Sequence, residues 1–230
     1  TLSVRVIDST TKAMVARATL AADPDYVRWV ASSGEIWVTE PGTGLEVLSV
    51  SSSGVPTHAA TVAVSGGPEG IAVDDTRHRV YTDSFLGQTF AVDIPTRAVV
   101  ETWPNGCSPL SLGVALDEAR GFVFVACSGG SVVVLDAAHG GTKLGQLTVK
   151  GDLDILSFSS KLNHLYVPGG TSAELSVVGV SAAGVPTLLG TAPTAQGSKE
   201  VTADDEGNAW VADQGGGRLL RIKDTFPAIP

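Results

Sequence analysis

The sequence predicts an all-β fold, a β-propeller of four-stranded blades numbering five or six, with the ring closed by the terminal strands. Three observations carry this. A repeat of about 43 residues runs through the chain, an aromatic residue sits inside an apolar run at the same place in each repeat, and short polar turns separate the runs. The anchors are Trp37 (EIWVTE), Tyr81 (RVYTD), Phe124 (FVFVAC), Tyr166 (HLYVPG) and Trp210 (NAWVAD), spaced by 44, 43, 42 and 44 residues.

Each repeat divides into four strands, a to d from the inside outward. Strand a is read in GPEGIAVDD, LGVALDE, LDILSFSS and KEVTADD, each followed by a short polar turn such as DTRHR, DEARG or DEGN. Strand b carries the aromatic anchor. Strand c is SVRVID, LEVLSV, TFAVD, VVVLD, LSVVGV and RLLRIK, and strand d is a poorer run such as ARATL, HAATVAV, AVVETW or KLGQLTV. Val and aromatic residues in short runs suit strands, and DIPTRA, DAAHGG and the twice-used SxxGVPT join c to d.

The count is uneven, with five a, b and d segments but six c segments. Two closures remain open. C-terminal a and b strands join N-terminal c and d strands in one shared blade, leaving RLLRIK as an extra strand, or two strands before Thr1 belong to a six-bladed parent. A shared blade removes exposed edges. In either case residues 1–230 form one propeller domain.

Length and composition agree. A chain of 230 residues is ample for one core, and 43% hydrophobic residues with 27 Gly and 12 Pro describe a globular chain rich in turns. No apolar run approaches the roughly 18 residues of a membrane span, so a soluble monomer is expected. The net charge of −9 excludes nucleic acid as a partner, because phosphate binding needs clustered Lys and Arg.

At PEGIAVDDTRHRVYTD and SLGVALDEARGFVFVAC, and more weakly over the whole chain, the sequence resembles the YVTN/YncE-like family of bacterial propeller proteins. The resemblance implies a periplasmic or extracellular location. It implies no particular activity, since propellers serve binding, scaffolding and catalysis alike.

The first residues of the a strands should line a central channel. Aligning the repeats places Tyr26, Glu69, Leu112, Asp154 and Lys199 at one position of successive blades, with Asp25, Ser111, Asp152 and Glu200 beside them and Glu40, Asp83 and Asp213 in the b-to-c loops. This face is expected to bind a small ligand or a protein through Tyr26, Glu69, Leu112, Asp154, Lys199 and Glu200. One alternative is a lactone- or ester-hydrolase in which Glu69, Asp154, Asp83 and Asn105 hold calcium or another divalent cation, since hard cations take oxygen ligands. Another is Lys199 as a catalytic amine or base, with Glu69 and Asp154 beside it. A third is a hydrated acidic channel in which Lys199 is paired to Glu69, Asp154 or Glu200 and no cofactor is held.

His78 and His164 are read in a-to-b turns, and His58 and His139 in or after c-to-d turns. All four then lie on the opposite face, which disfavours a Ser–His–Asp triad or a His-rich zinc site at the channel mouth. Cys107, ending a d-to-a link, and Cys127, ending strand b of the adjoining blade, are the two cysteines. A disulfide between them is expected and implies an oxidising compartment. The alternative is two unpaired buried thiols.

Overall fold

The runs Phe122–Cys127 and His164–Gly169 are buried throughout, as strands covered on both faces are, whereas Leu219–Lys223 alternates between exposed and half-buried positions, as a pleated strand with one open face does. The structure, a computed structural model, describes residues 2–230. The strands are β1 (Ser3–Ile7), β2 (Met14–Thr19), β3 (Val27–Val30), β4 (Glu35–Glu40), β5 (Gly44–Val50), β6 (Pro56–Val62), β7 (Ile71–Asp74), β8 (Arg79–Ser84), β9 (Gln88–Asp93), β10 (Ala98–Pro104), β11 (Ser111–Asp117), β12 (Phe122–Cys127), β13 (Ser131–Asp136), β14 (Thr142–Thr148), β15 (Ser157–Ser159), β16 (His164–Gly169), β17 (Glu174–Val180), β18 (Pro186–Pro193), β19 (Val201–Ala203), β20 (Asn208–Asp213) and β21 (Arg218–Lys223).

Consecutive strands pair into blades. β3–β6, β7–β10, β11–β14 and β15–β18 are complete four-stranded sheets, while β1–β2 and β19–β21 form sheets of two and three strands. The expected five or six blades are thus met by four complete and two partial ones. In place of one sheet shared by the two ends, the described residues hold two, and RLLRIK is the third strand of its own sheet.

One irregularity marks the strand positions. The third strand is bulged against the fourth between Val47 and Leu48, Val134 and Leu135, and Val177 and Val178. The same bulge between Val6 and Ile7 identifies β1 and β2 as third and fourth strands.

The aromatic anchors form the cores. Trp37, Tyr81, Phe124 and Tyr166 are fully buried, each such side chain contributing roughly 1.5–3 kcal/mol, while Trp210 is half-buried. Their polar tips are satisfied by carboxylates: the Trp37 indole N–H donates to Glu35 (3.1 Å), and the Tyr166 hydroxyl donates to Asp224 (2.8 Å).

The chain divides into two compact units, one of residues up to Ser84 with Phe90–Thr102, the other of Phe85–Thr89 with Trp103–Pro230. In the first, Ala18, Leu20, Val38 and Leu48 make a core against which Val4 and Ile36 pack. In the second, one cluster runs from Phe122, Phe124 and Val134 to Leu153, Leu165 and Val178, and another joins Tyr166, Leu175 and Val211. No described helix is long and apolar enough to cross a membrane.

Candidate functional site

In the second unit three equivalent positions come together as the repeat requires. Leu112 lies in β11, whereas Asp154 and Lys199 lie in the links that precede β15 and β19. Gly113 makes the first approach possible: a Cβ there would lie 1.9 Å from the Asp154 carbonyl oxygen. The next step is a main-chain bond, the Ile155 N–H donating to the Lys199 carbonyl at 3.1 Å. Across it the Lys199 ammonium is paired with Asp154, Nζ to Oδ2 at 3.1 Å, its side chain 39% exposed.

The electrostatics follow from that geometry. The hydrogen bond that Lys199 donates to Asp154 raises the Lys199 pKa above the usual lysine value; burial opposes this, and the charges of Asp154, Asp152 and Glu200 add to the rise. The ammonium is therefore the favoured form, the reverse of what a neutral base or Schiff-base amine needs. Burial pushes the Asp152 carboxyl up. The Thr171 N–H, donating to Oδ1 at 2.6 Å, and the other groups around it outweigh that and hold it below the usual carboxylate range.

Glu200 accepts from the Gln214 amide through Oε1 at 2.7 Å, which ties Lys199's neighbour to the turn between β20 and β21. In that turn Asp213 is held low by Arg218 (2.8 Å) and by the Gly216 N–H (2.8 Å). A recess of about 380 Å³ is lined by Ala212, Asp213, Gln214, Gly217, Arg218 and Leu219. Two buried polar atoms flank Lys199 without a hydrogen-bond partner: Ser198 Oγ, on a side chain with no exposed area, and Glu200 Oε2.

Cys107 and Cys127 are joined by a disulfide, with their Cα atoms 5.0 Å apart. Cys127 ends β12 and opposes Ser111 in the β11–β12 ladder, so the bridge ties the link after β10 to the end of β12. Asn105 prepares that link: its Oδ1 accepts from the Cys107 N–H (3.0 Å) and its amide donates to Thr89 (3.2 Å).

The remaining expected residues belong to the first unit. Tyr26 is buried before β3, exchanges main-chain and side-chain bonds with Thr39, and lies under the Arg28 guanidinium at 5.7 Å. Glu69 is half-buried and its N–H donates to the carbonyl of the buried Asp83 (2.8 Å). Of the four oxygen ligands considered for a divalent cation, Glu69 and Asp83 belong to the first unit and Asn105 and Asp154 to the second. The polar atoms of Asn105 and Asp154 have protein partners, and among the described residues no group of three or more His, Cys, Asp or Glu is arranged to hold a metal.

Two clusters escaped the sequence reading. Glu40 and Glu46 are buried side by side at the end of the β4–β5 hairpin, with His58 on β6 within 3.3 Å of Glu46. Burial, then contact with Glu46, pushes the Glu40 carboxyl up, and the pair shares a hydrogen bond. His164 opens β16 rather than lying in a turn. It is fully buried, with Nδ1 2.7 Å from Asp224 and Nε2 3.1 Å from the Pro227 carbonyl. A glutamate inside the apolar run LEVLSV was the available signal for the first cluster. The second joins residues 60 apart outside the repeat pattern.

No family model matches the sequence, and no curated protein matches it at a significant level. Solved structures do. A chain of the mitotic checkpoint complex is similar with a TM-score of 0.79 at 11% identity, over 97% of this chain and 69% of that one. The Swd1 β-propeller domain of Myceliophteria thermophila is similar with a TM-score of 0.81 at 10% identity, over 97% and 78%. A functionally unknown protein from Desulfotomaculum acetoxidans is similar with a TM-score of 0.74 at 13% identity, over 96% and 76%. At these identities the likeness is one of fold, and the fold is the β-propeller.

Proposed function

We propose that the chain is a binding module that takes a cationic group of a protein or small-molecule ligand on the face carrying Asp152, Asp154, Lys199, Glu200 and Asp213. One observation carries the reading. Ser198 Oγ and Glu200 Oε2 are buried without a partner beside an ion pair, and buried polar groups in native proteins are as a rule hydrogen-bonded. A carboxylate oxygen in that state calls for a donor. Four carboxylates on this face against Lys199 and Arg218 favour a donor that carries positive charge.

Recognition fits better than chemistry. Lys199 is held as an ammonium, and within the same unit His164 is engaged by Asp224 and the Pro227 carbonyl. The disulfide and the resemblance to the YVTN/YncE-like propellers support a periplasmic or extracellular setting. Among the similar structures, one belongs to a protein complex, which is compatible with a protein ligand.

Calorimetric titration with short oligolysine and oligoglutamate peptides tests the proposal. Oligolysine binding that is lost in Glu200→Gln with the fold intact supports it. No heat from oligolysine, equal binding of both peptides, or binding indifferent to Glu200→Gln overturns it.

A further inference from the structure

Two glutamates of the first unit are buried at an otherwise apolar contact. Val38 and Glu40 lie on one face of β4, and Val38 opposes Glu46 on β5, so Glu40 and Glu46 are diagonal neighbours on that face. It is the face on which Val38 and Leu48 pack against Ala18 and Leu20. Glu40 is fully buried and Glu46 is 2% exposed.

The pair holds the link from β2 to β3. The Ala21 N–H donates to Glu46 Oε2 at 3.0 Å, and the Ala22 N–H donates to Glu40. On either side the link is pinned by other groups. Leu20 is buried, with its N–H on the Leu2 carbonyl, and the Asp25 and Tyr26 N–H groups donate to the Thr39 carbonyl and Oγ1. Between those pins Ala21, Asp23 and Pro24 are exposed, and the two carboxyl groups tie the stretch inward.

The hydrogen bonds around the pair call for one proton. Glu40 Oε2 accepts from the Thr43 hydroxyl at 2.7 Å, while Oε1 is buried without a hydrogen-bond partner. As a carboxylate, that group would face a second carboxylate with one oxygen lacking a donor. As an acid it is itself a donor, and Glu46 is in contact to accept. The titratable groups facing the pair are each other, from β4 and β5, and His58 from β6, its Nδ1 3.3 Å from Glu46 Oε1; Asp23 and Asp25 of the link are exposed. Burial pushes the Glu40 carboxyl up, and Glu46 adds to this against the bonds from Thr43 and Ala22. Burial pushes Glu46 up as well, but Glu40, the Ala21 N–H and His58 outweigh it and hold it low. The proton therefore sits on Glu40 and the charge on Glu46.

We propose that Glu40 and Glu46 form a proton-operated latch: with the proton in place the β2–β3 link is held to the end of the β4–β5 hairpin, and loss of the proton releases residues 21–24 while the sheets stay paired. Two buried carboxylates in contact repel, and the link bonded to both is the part free to yield. The sign follows from Glu40, whose proton is held more tightly in the folded chain than in the unfolded one. The latch is closed at low pH and opens as pH rises through the folded value. The cationic-ligand face lies in the other unit and shares no residue with the latch.

Hydrogen exchange of the Ala21 and Ala22 amides in the intact chain, corrected for the intrinsic pH dependence of exchange, tests this from about pH 4 to about pH 9. Protection at these two amides is expected to fall at least about tenfold through one transition, with the β4–β5 ladder amides unmoved. Glu40→Gln, whose amide N–H imitates the proton, should keep protection throughout. Thr43→Val is the second variant, at an exposed position. It removes a donor that favours the charged form, and should move the transition to higher pH. Circular dichroism at each pH checks the fold. Four results overturn the proposal: protection independent of pH in wild type, the same fall in folded Glu40→Gln, a transition in Thr43→Val that stays put or moves down, or a fall shared by the β4–β5 ladder.

Discussion

Removal of the Cys107–Cys127 bridge has a size that can be worked from the fold. The two cysteines are 20 residues apart in sequence. In the chain-entropy relation, a closed loop of that length removes about 11 cal/mol/K from the unfolded chain, or about 3 kcal/mol at 25 °C. A chain of this size shifts its Tm by roughly 2–4 °C per kcal/mol, so reduction should lower the Tm by about 6–12 °C. Reduction with dithiothreitol isolates this effect. Cys107→Ala/Cys127→Ala should cost somewhat more, because Cys127 is fully buried and its lost sulfur leaves a cavity. The assay is urea unfolding of oxidised, reduced and variant protein followed by tryptophan fluorescence. A reduced protein within about 1 kcal/mol of the oxidised one would refute the argument that this bridge limits the unfolded chain.

Three further outcomes follow from buried groups. Glu35→Ala strands the Trp37 indole N–H and removes the Arg97 pair, and should cost about 1–3 kcal/mol in urea unfolding at neutral pH. Burial pushes the Glu35 carboxyl up, but Arg97, Ser33 and Trp37 outweigh it and hold it low, so its contribution is full above the ordinary carboxylate range and is lost as pH falls through the folded value; wild type and Glu35→Gln should therefore converge at acid pH. Glu40 has the opposite sign: its proton is retained by burial and by Glu46, so its contribution is present at low pH and lost as pH rises through the folded value, and Glu40→Gln should flatten the stability–pH profile on that side. Gly113→Ala forces a methyl into the Asp154 carbonyl, and should cost about 1–3 kcal/mol while broadening the Lys199 side-chain signals in NMR spectra.

The parts of the fold that repeat were legible, because a repeat converts one local pattern into five aligned observations. The aromatic anchors, the strand order within a blade, and the convergence of Leu112, Asp154 and Lys199 all rest on that spacing. So does the placing of Cys107 beside Cys127. What lay outside the repeat was hidden. Nothing in the alignment joins His164 to Asp224, and the pattern that predicts a third strand in SVRVID says nothing of whether its inner partners are present. The repeat therefore left the two closures open, and the pairing of the terminal strands into one sheet of two and one of three was not legible in it. Glu40 and Glu46 were visible only as charges, since their pairing depends on a hairpin register.

The claim that the Asp154–Lys199 face is built for recognition and not for amine chemistry is tested most directly by a heteronuclear NMR pH titration of the Lys199 side chain. The account predicts a midpoint above the lysine reference of about 10.4, moving back towards it in Asp154→Asn. A midpoint well below that reference, left unchanged by Asp154→Asn, would contradict it and make Lys199 a candidate base.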